Sequence, residues 1–282
     1  MDNEYLPGMR LGQSRASFEF INKLGQSGAV RKFVDESYAI RFERQFLKHC
    51  EANNRSLGDI KVPSILSSFE NNGYEMSIAP GVSLGDFLVR ASNEEVEAVS
   101  NSICSLLNLL LSEAVSNLDV EKDLISKIDS LQKMIYSMHE RDPFIQLLSY
   151  LRKSIHSMKS LSGWNHGDFS FENILVSSDL EVWTIDFLDS PAETPLIDLG
   201  RIWLDAHYGW WGFGFEETAN SRLNSKLLAQ KIGKLATEKN LSLETLDTFA
   251  ALAILRVVPY TTSPLRISYL KWSAWQILEA RQ

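Results

Sequence analysis

The 282-residue sequence predicts an α+β chain in two lobes, a small β-rich lobe over residues 1–80 and a larger α-helical lobe over residues 81–282. Three observations predict this architecture. The first ninety or so residues read as strands and turns around a single helical stretch, with residues 17–22 alternating apolar and polar side chains at period two. Beyond Pro80 and Gly81, long segments carry Leu and Ile at helical spacing. A short apolar hairpin between Ile174 and Ile185 interrupts those helical segments.

Taken in order, residues 17–22 (SFEFIN) read as a half-buried strand, residues 24–28 (LGQSG) as a turn, and Ala29–Val34 (AVRKFV) as a second strand. Two strands joined by so short a turn are most simply an antiparallel hairpin. Residues 36–53 follow as a helix, with Ala39, Phe42, Phe46 and Leu47 on one face. Residues 62–69 and 74–78 make another strand pair around a turn at 71–73. Ser83 is placed to cap a short helix reaching Val89. Helical periodicity then runs over 93–116, 120–139 and 143–158, and returns from Glu216 to Gln282. Strands at 174–176 and 182–185 flank a turn at 177–180, and no internal repeat or low-complexity segment is present.

Hydrophobic residues at 44% and charged residues at 23% are ordinary globular values, so the chain can build a core without disorder or a membrane class. The net charge of −8 argues against a general nucleic-acid binder. Two cysteines, Cys50 and Cys104, form no CxxC and no Cys/His cluster at metal spacing, so a disulfide framework is not expected. The opening residues MDNEYLPGMR are acidic and lack an apolar core, unlike a secretory signal. The most apolar stretches, 103–111 and 249–258, are too short to span a bilayer, and Arg256 interrupts the second. The expectation is a cytoplasmic protein with neither nucleic-acid nor membrane partners.

The informative stretch is residues 165–186, NHGDFSFENILVSSDLEVWTID. Asp168 and Asn173 share one short loop, five positions apart. Asn173 leads into the hairpin, and the hairpin delivers Asp186 back to the same end. Phosphoryl transfer needs such a set: one carboxylate to receive or orient a hydroxyl proton, and oxygen ligands to hold Mg²⁺ against phosphates. Two oxygen ligands beside one carboxylate suit a hard cation. An isolated acidic residue would more simply cap a turn; three polar groups threaded around an apolar hairpin favour the chemical reading.

HGDFSFEN resembles the catalytic loop of the protein-kinase-like fold, in the His-Gly-Asp form used by aminoglycoside phosphotransferases, choline kinases and related small-molecule kinases. Ile185-Asp186-Phe187 resembles the metal-binding Asp-Phe-Gly segment, with Leu188 in place of its glycine. The resemblance implies a two-lobed protein-kinase-like fold, ATP and Mg²⁺ as cofactors, and a small-molecule hydroxyl acceptor as partner. It assigns Asp168 as the catalytic carboxylate and Asn173 and Asp186 as the metal ligands. His166 is given a structural role near the metal site. Lys32, in VRKF on the third strand, would meet the nucleotide phosphates, with Glu43 of the following helix as its partner and Glu36 as a substitute. Arg31 should point to the opposite face by strand alternation.

The same resemblance places a phosphate-covering loop at residues 12–16, including Gly12 and Ser14, in preference to residues 24–28. It puts the hinge at residues 74–81, where backbone groups around Ser77 and Ala79 would meet the adenine edge.

Eleven residues separate Asp186 from Asp198, and no Ala-Pro-Glu follows. A protein kinase carries a long activation segment there, so the acceptor is expected to be a small molecule. Asp198 should anchor a loop or cap a helix. Asp189 and Asp205 are candidate contacts for a polar or cationic acceptor. The aromatic run 207–215 could line an acceptor pocket or serve as a core plug or lid, and the latter is favoured. Residues 185–205 faintly resemble phosphotransferases of surface-polysaccharide synthesis, which nudges the acceptor toward a sugar or polyol. The alternative is a catalytically inactive, nucleotide-binding pseudokinase acting as scaffold or sensor.

Overall fold

The structure, a computed structural model, describes residues 16–21, 28–34, 36–69, 73–138, 141–210 and 218–280. Gly12 and Ser14 lie outside the described residues, as does most of the competing turn at 24–28.

Strands β1 (Ala16–Ile21) and β2 (Ala29–Val34) pair antiparallel, with Phe18 opposite Lys32. β2 also pairs with β5 (Gly73–Ser77), and β5 with β4 (Ile65–Phe69), giving a four-stranded antiparallel sheet in the order β1-β2-β5-β4. A short 3₁₀ turn at Glu36–Tyr38 leads into helix α1 (Ala39–Asn54). Val30, Phe42, Tyr74 and Met76 form a small core between helix and sheet. The buried residues of α1 are Phe42, Lys48, His49 and Ala52, whereas Leu47 is 54% exposed. The expected face of α1 is therefore rotated: Phe42 is on it and Leu47 is not.

A second sheet orders β3 (Ile60–Lys61), β10 (Val182–Thr184), β9 (Ile174–Val176) and β6 (Val82–Ser83). It contains the expected apolar hairpin, with Val182 opposite Val176. β6 follows a sharp turn at Gly81, whose φ is +109°. A Cβ there would sit 2.2 Å from the Val176 carbonyl oxygen, so only glycine lets the chain pass this close to the hairpin.

The helical lobe begins with α2 (Leu84–Arg90), where the Ser83 side chain accepts from the Asp86 N–H as predicted. α3 (Asn93–Glu113) opens on a capping box between Ser92 and Glu95. A two-residue pairing of β7 (Val115–Ser116) with β8 (Leu161–Ser162) brackets α4 (Asp119–Tyr136) and α5 (Phe144–Ile155). α6 (Leu196–Tyr208) is buried along nearly its whole length and packs on α8 (Leu243–Val257). α7 (Ala219–Glu238) and α9 (Pro264–Glu279) complete the lobe. Leu107, Ile128, Leu151, Ile202, Ile254 and Ile277 are all fully buried in one continuous core. Each such side chain contributes about 1.5–3 kcal/mol relative to exposure. Among the described residues, no helix is long and apolar enough to cross a membrane.

Candidate active site

The His166–Asn173 loop crosses between β8 and β9 and is held from several sides. Its sharpest point is Gly167, at φ +90°, where a Cβ would lie 2.2 Å from the Leu188 carbonyl oxygen. The chain can therefore bring the loop against the segment after Asp186 only with glycine there. Asp198, buried in the first turn of α6, accepts from the backbone N–H groups of His166 at 2.5 Å and Gly167 at 2.9 Å. It is the loop anchor the sequence suggested. Burial pushes its carboxyl up to about 7, against the pull of the two N–H donors and Lys48.

His166 is 1% exposed and donates Nε2–H to the Ile185 carbonyl at 2.8 Å, while Nδ1 accepts from the Asp168 N–H at 3.3 Å. Burial lowers its pKa to about 4. A neutral imidazole with both nitrogens committed ties the Asp168 loop to the Asp186 strand and is unavailable as a base.

Asp168 keeps a side chain 31% exposed between two partners. Arg201 Nε donates to its Oδ1 at 2.9 Å, and Asn173 Nδ2 donates to its Oδ2 at 3.1 Å and to its backbone carbonyl at 2.9 Å. The Asn173 amide is thus oriented through its Nδ2, and among the described residues no hydrogen bond reaches its oxygen. Asp186 sits at φ +61°, a left-handed conformation unusual for an aspartate. Its Oδ1 accepts from Lys32 Nζ at 2.5 Å.

Lys32 is 1% exposed on β2, while its neighbour Arg31 lies on the other face, bonded to Glu19 and Glu75. Burial alone would lower the Lys32 pKa, but Asp186 and Tyr74 outweigh it and the ammonium is held above the ordinary lysine value. Among the described residues, the ion pair of Lys32 is with Asp186. Glu43 and Glu36 are exposed on the outer side of their segment and do not meet it. The expected partnership with Glu43 is not made: α1 turns Lys48 and His49 inward beside Phe42 and leaves Glu43 exposed.

At the hinge, the Ser77 N–H is taken by the Ser64 carbonyl at 2.9 Å, and Ser77 Oγ accepts from the Ser64 N–H. Ser77 therefore has no free N–H for a nucleotide edge. Ala79, two residues on, makes no loop backbone hydrogen bond among the described residues.

Two cations escaped the sequence reading. Lys48, 6% exposed on α1, donates to Asn165 Oδ1 at 2.8 Å and to Glu193, linking the first lobe to the loop. Arg201, in DLGR of α6, spans Asp168 and Asp205, with Nη1 at 2.6 Å from Asp205 Oδ1. Burial would weaken the Arg201 charge, but Asp205 and Asp168 hold it protonated. Their signal was a basic residue on an otherwise apolar helix face. Asp205 is 1% exposed and also accepts from the Phe171 N–H at 2.8 Å, so it braces the loop and is closed to an acceptor. Asp189 is paired with Arg44 at 3.1 Å. Of the aromatic run, Trp203 stacks on His207 and Tyr208 donates to Asp247, while residues 211–217 lie outside the described residues.

The donor set fits Mg²⁺. Asp186 offers a carboxylate oxygen and Asn173 an amide oxygen, both hard donors at one end of one hairpin. No group of three His, Cys, Asp or Glu side chains able to hold a metal occurs among the described residues. Two protein oxygens, with phosphate and water oxygens completing the shell, is the arrangement Mg²⁺ adopts at nucleotides.

Compared with solved structures, the chain matches aminoglycoside phosphotransferase APH(4)-Ia with a TM-score of 0.64 at 14% identity, over 94% of each chain. It matches APH(2'')-IIa, solved as a ternary complex with streptomycin and ATP, with a TM-score of 0.59 at 13% identity, over 93% of this chain and 91% of that one. An ethanolamine kinase of Plasmodium vivax matches with a TM-score of 0.55 at 14% identity, over 93% of this chain and 81% of that one. No protein-family model matches the sequence, and no curated protein matches it. The chain has the two-lobed fold shared by these aminoglycoside phosphotransferases and this ethanolamine kinase.

Proposed function

We propose that this protein is an ATP-dependent phosphotransferase that moves the γ-phosphoryl group to a hydroxyl of a small metabolite: a sugar, polyol, amino alcohol or aminoglycoside. The observation that carries the reading is the convergence of Asp168, Asn173, Asp186 and Lys32. Four residues from three separate segments meet at one end of the β9–β10 hairpin, in a fold shared with small-molecule kinases.

In this reading Asp168, steered by Arg201 and Asn173, accepts the hydrogen of the acceptor hydroxyl. The new O–P bond forms as the bond to the β-phosphate oxygen breaks, the proton passes to Asp168, and ADP leaves. Asn173 and Asp186 would hold Mg²⁺, which when bound supplies charge neutralisation on the phosphates. Lys32 would grip the nucleotide phosphates, and the backbone near Ala79 would meet the adenine edge. The Asp168 carboxylate has both oxygens hydrogen-bonded, so its role is mainly to orient the hydroxyl. Synthesis of a surface polysaccharide is the setting that the faint resemblance of residues 185–205 favours.

The test is product mass after incubation with Mg·ATP and a panel of candidate acceptors. Gain of one phosphoryl group, abolished by Asp168→Ala, is the expected result. Gain of a nucleotidyl group, or turnover unaffected by Asp168→Ala, would overturn the reading.

A further inference from the structure

Lys48 carries a positive charge from α1 into the interior. The residue is 6% exposed, and its ammonium has three N–H donors. Three oxygens of the helical lobe take them: Asn165 Oδ1 at 2.8 Å and the two carboxylate oxygens of Glu193 at 3.3 and 3.4 Å. No donor is left over for a nucleotide phosphate.

These partners are also tied to each other. Asn165 is fully buried and donates Nδ2 to the Ala192 carbonyl at 3.1 Å and to Glu193 Oε2 at 3.4 Å, while the Gly163 N–H meets the Glu193 carbonyl at 2.9 Å. Residues 163–165 run directly into the His166–Asn173 loop, and residues 192–193 belong to the segment that joins Asp186 to α6. One ammonium therefore closes a junction between the approach to Asp168 and the exit from Asp186.

The next residue, His49, fixes α1 to the β-rich lobe. Its Nε2–H donates to the Pro63 carbonyl at 2.8 Å, and its Nδ1 accepts from the Tyr74 hydroxyl at 3.2 Å. Tyr74 stands opposite Lys32 where β5 pairs with β2. Bonded groups thus lead from the strands beside Lys32, through α1, to the residue three places before Asp168.

Stability alone does not call for a lysine at position 48. An apolar side chain could fill the same space without the cost of desolvating a charge. What it could not supply is a directed bond from one lobe to Asn165 in the other.

We propose that Lys48 is a positioning residue for phosphoryl transfer: it sets the Asp168 loop, carried by the helical lobe, in register with Lys32, carried by the β-rich lobe. The inference rests on the kinase reading and adds the residue that holds the acceptor-side and nucleotide-side groups at their working separation. Lys48 touches neither reactant, so its loss acts through distance, and a displacement of about 1 Å costs on the order of a hundredfold in rate.

The experiment measures ADP release from Mg·ATP, with water alone and with each compound of the panel of sugars, polyols, amino alcohols and aminoglycosides. Folded sites are counted by AMP-PNP binding. Per folded site, Lys48→Met should lower kcat about 10- to 100-fold and move the KM for Mg·ATP by less than about threefold. Glu193→Ala removes a partner whose side chain is 57% exposed, and should lower kcat severalfold in the same way. The double variant should be no slower than Lys48→Met, because both changes act through one junction. A merely structural lysine would reduce the melting temperature and the number of folded sites but leave kcat per site unchanged, and that result would overturn the proposal. So would a raised KM at unchanged kcat, which assigns Lys48 to the nucleotide, or effects of the two variants that multiply. Where Lys48→Met does not fold, Glu193→Ala decides: unchanged kcat overturns the positioning role, and lowered kcat at unchanged KM upholds it. Wild type that neither binds AMP-PNP nor releases ADP would remove the kinase reading, and this inference with it.

Discussion

Replacing Gly167 with alanine adds one methyl group, and the structure fixes where it goes. At φ +90° the new Cβ would stand 2.2 Å from the Leu188 carbonyl oxygen and 3.0 Å from its carbon. Ordinary contact is about 3.4 Å or more, so roughly 1 Å of movement is required. The obstacle is backbone, and no rotamer can relieve it. The backbone conformation alone costs about 1–2 kcal/mol for a non-glycine residue. Either the loop retreats, stretching the two N–H bonds to Asp198, or Leu188 retreats, dragging Asp186 two residues earlier. With the overlap included, Gly167→Ala should lose about 3–5 kcal/mol of folding stability. Whatever remains folded should show about a hundredfold lower kcat, because Asp168 and Asp186 are no longer in register. Guanidinium unfolding measures the first effect and acceptor-stimulated ADP release the second. Wild-type stability and turnover in this variant would refute the account of how the loop is held.

Arg201→Gln should lower kcat far more than it changes Mg·ATP affinity, because Arg201 orients Asp168. It should also lose about 3–5 kcal/mol of stability by leaving Asp205 buried without its cation, as read by denaturant unfolding. Lys32→Met keeps the buried stem and removes the charge. Mg·ATP affinity by calorimetry should fall about 10- to 100-fold, while the melting temperature changes little, since Asp186 is partly solvated. His49 is 1% exposed and burial lowers its pKa to about 4, below the ordinary histidine value, so the unfolded state binds more protons between pH 6.5 and 4. The stability it contributes is present above pH 6.5 and lost toward pH 4. The advantage of wild type over His49→Gln should therefore shrink by on the order of 3 kcal/mol across that window, measured by urea titrations at each pH.

The parts of the fold legible in the sequence were those set by local rules. The strand run after the short turn placed β2 at Ala29–Val34, the Ser83 cap started α2, and the apolar stretches at 174–176 and 182–185 became β9 and β10. The proximity of Asp168, Asn173 and Asp186, the residues of the proposed site, was legible because one loop and one hairpin carry all three. What depended on the rotation of a helix was not. The apolar face of α1 is expected at Ala39, Phe42, Phe46 and Leu47, and the resemblance offers Glu43 as the partner of Lys32; the structure faces Phe42, Lys48 and His49 inward and leaves Glu43 in solvent. A buried lysine breaks the apolar pattern that periodicity relies on, and its partners, Asn165 and Glu193, lie more than a hundred residues away. Arg201 was hidden, and Asp205 read as an acceptor contact, for the same reason: an i, i+4 ion pair inside an apolar helix reads as surface until the helix is seen to be enclosed.

The central claim, a Mg·nucleotide site built on Asp186 and Lys32, is tested most directly by calorimetric titration of Mg·ATP into wild type and Asp186→Asn. Circular dichroism confirms that both are folded. The account predicts metal-dependent binding by wild type and its loss in Asp186→Asn. Folded wild-type protein that fails to bind Mg·ATP at millimolar concentration, or equal binding by the variant, would contradict it.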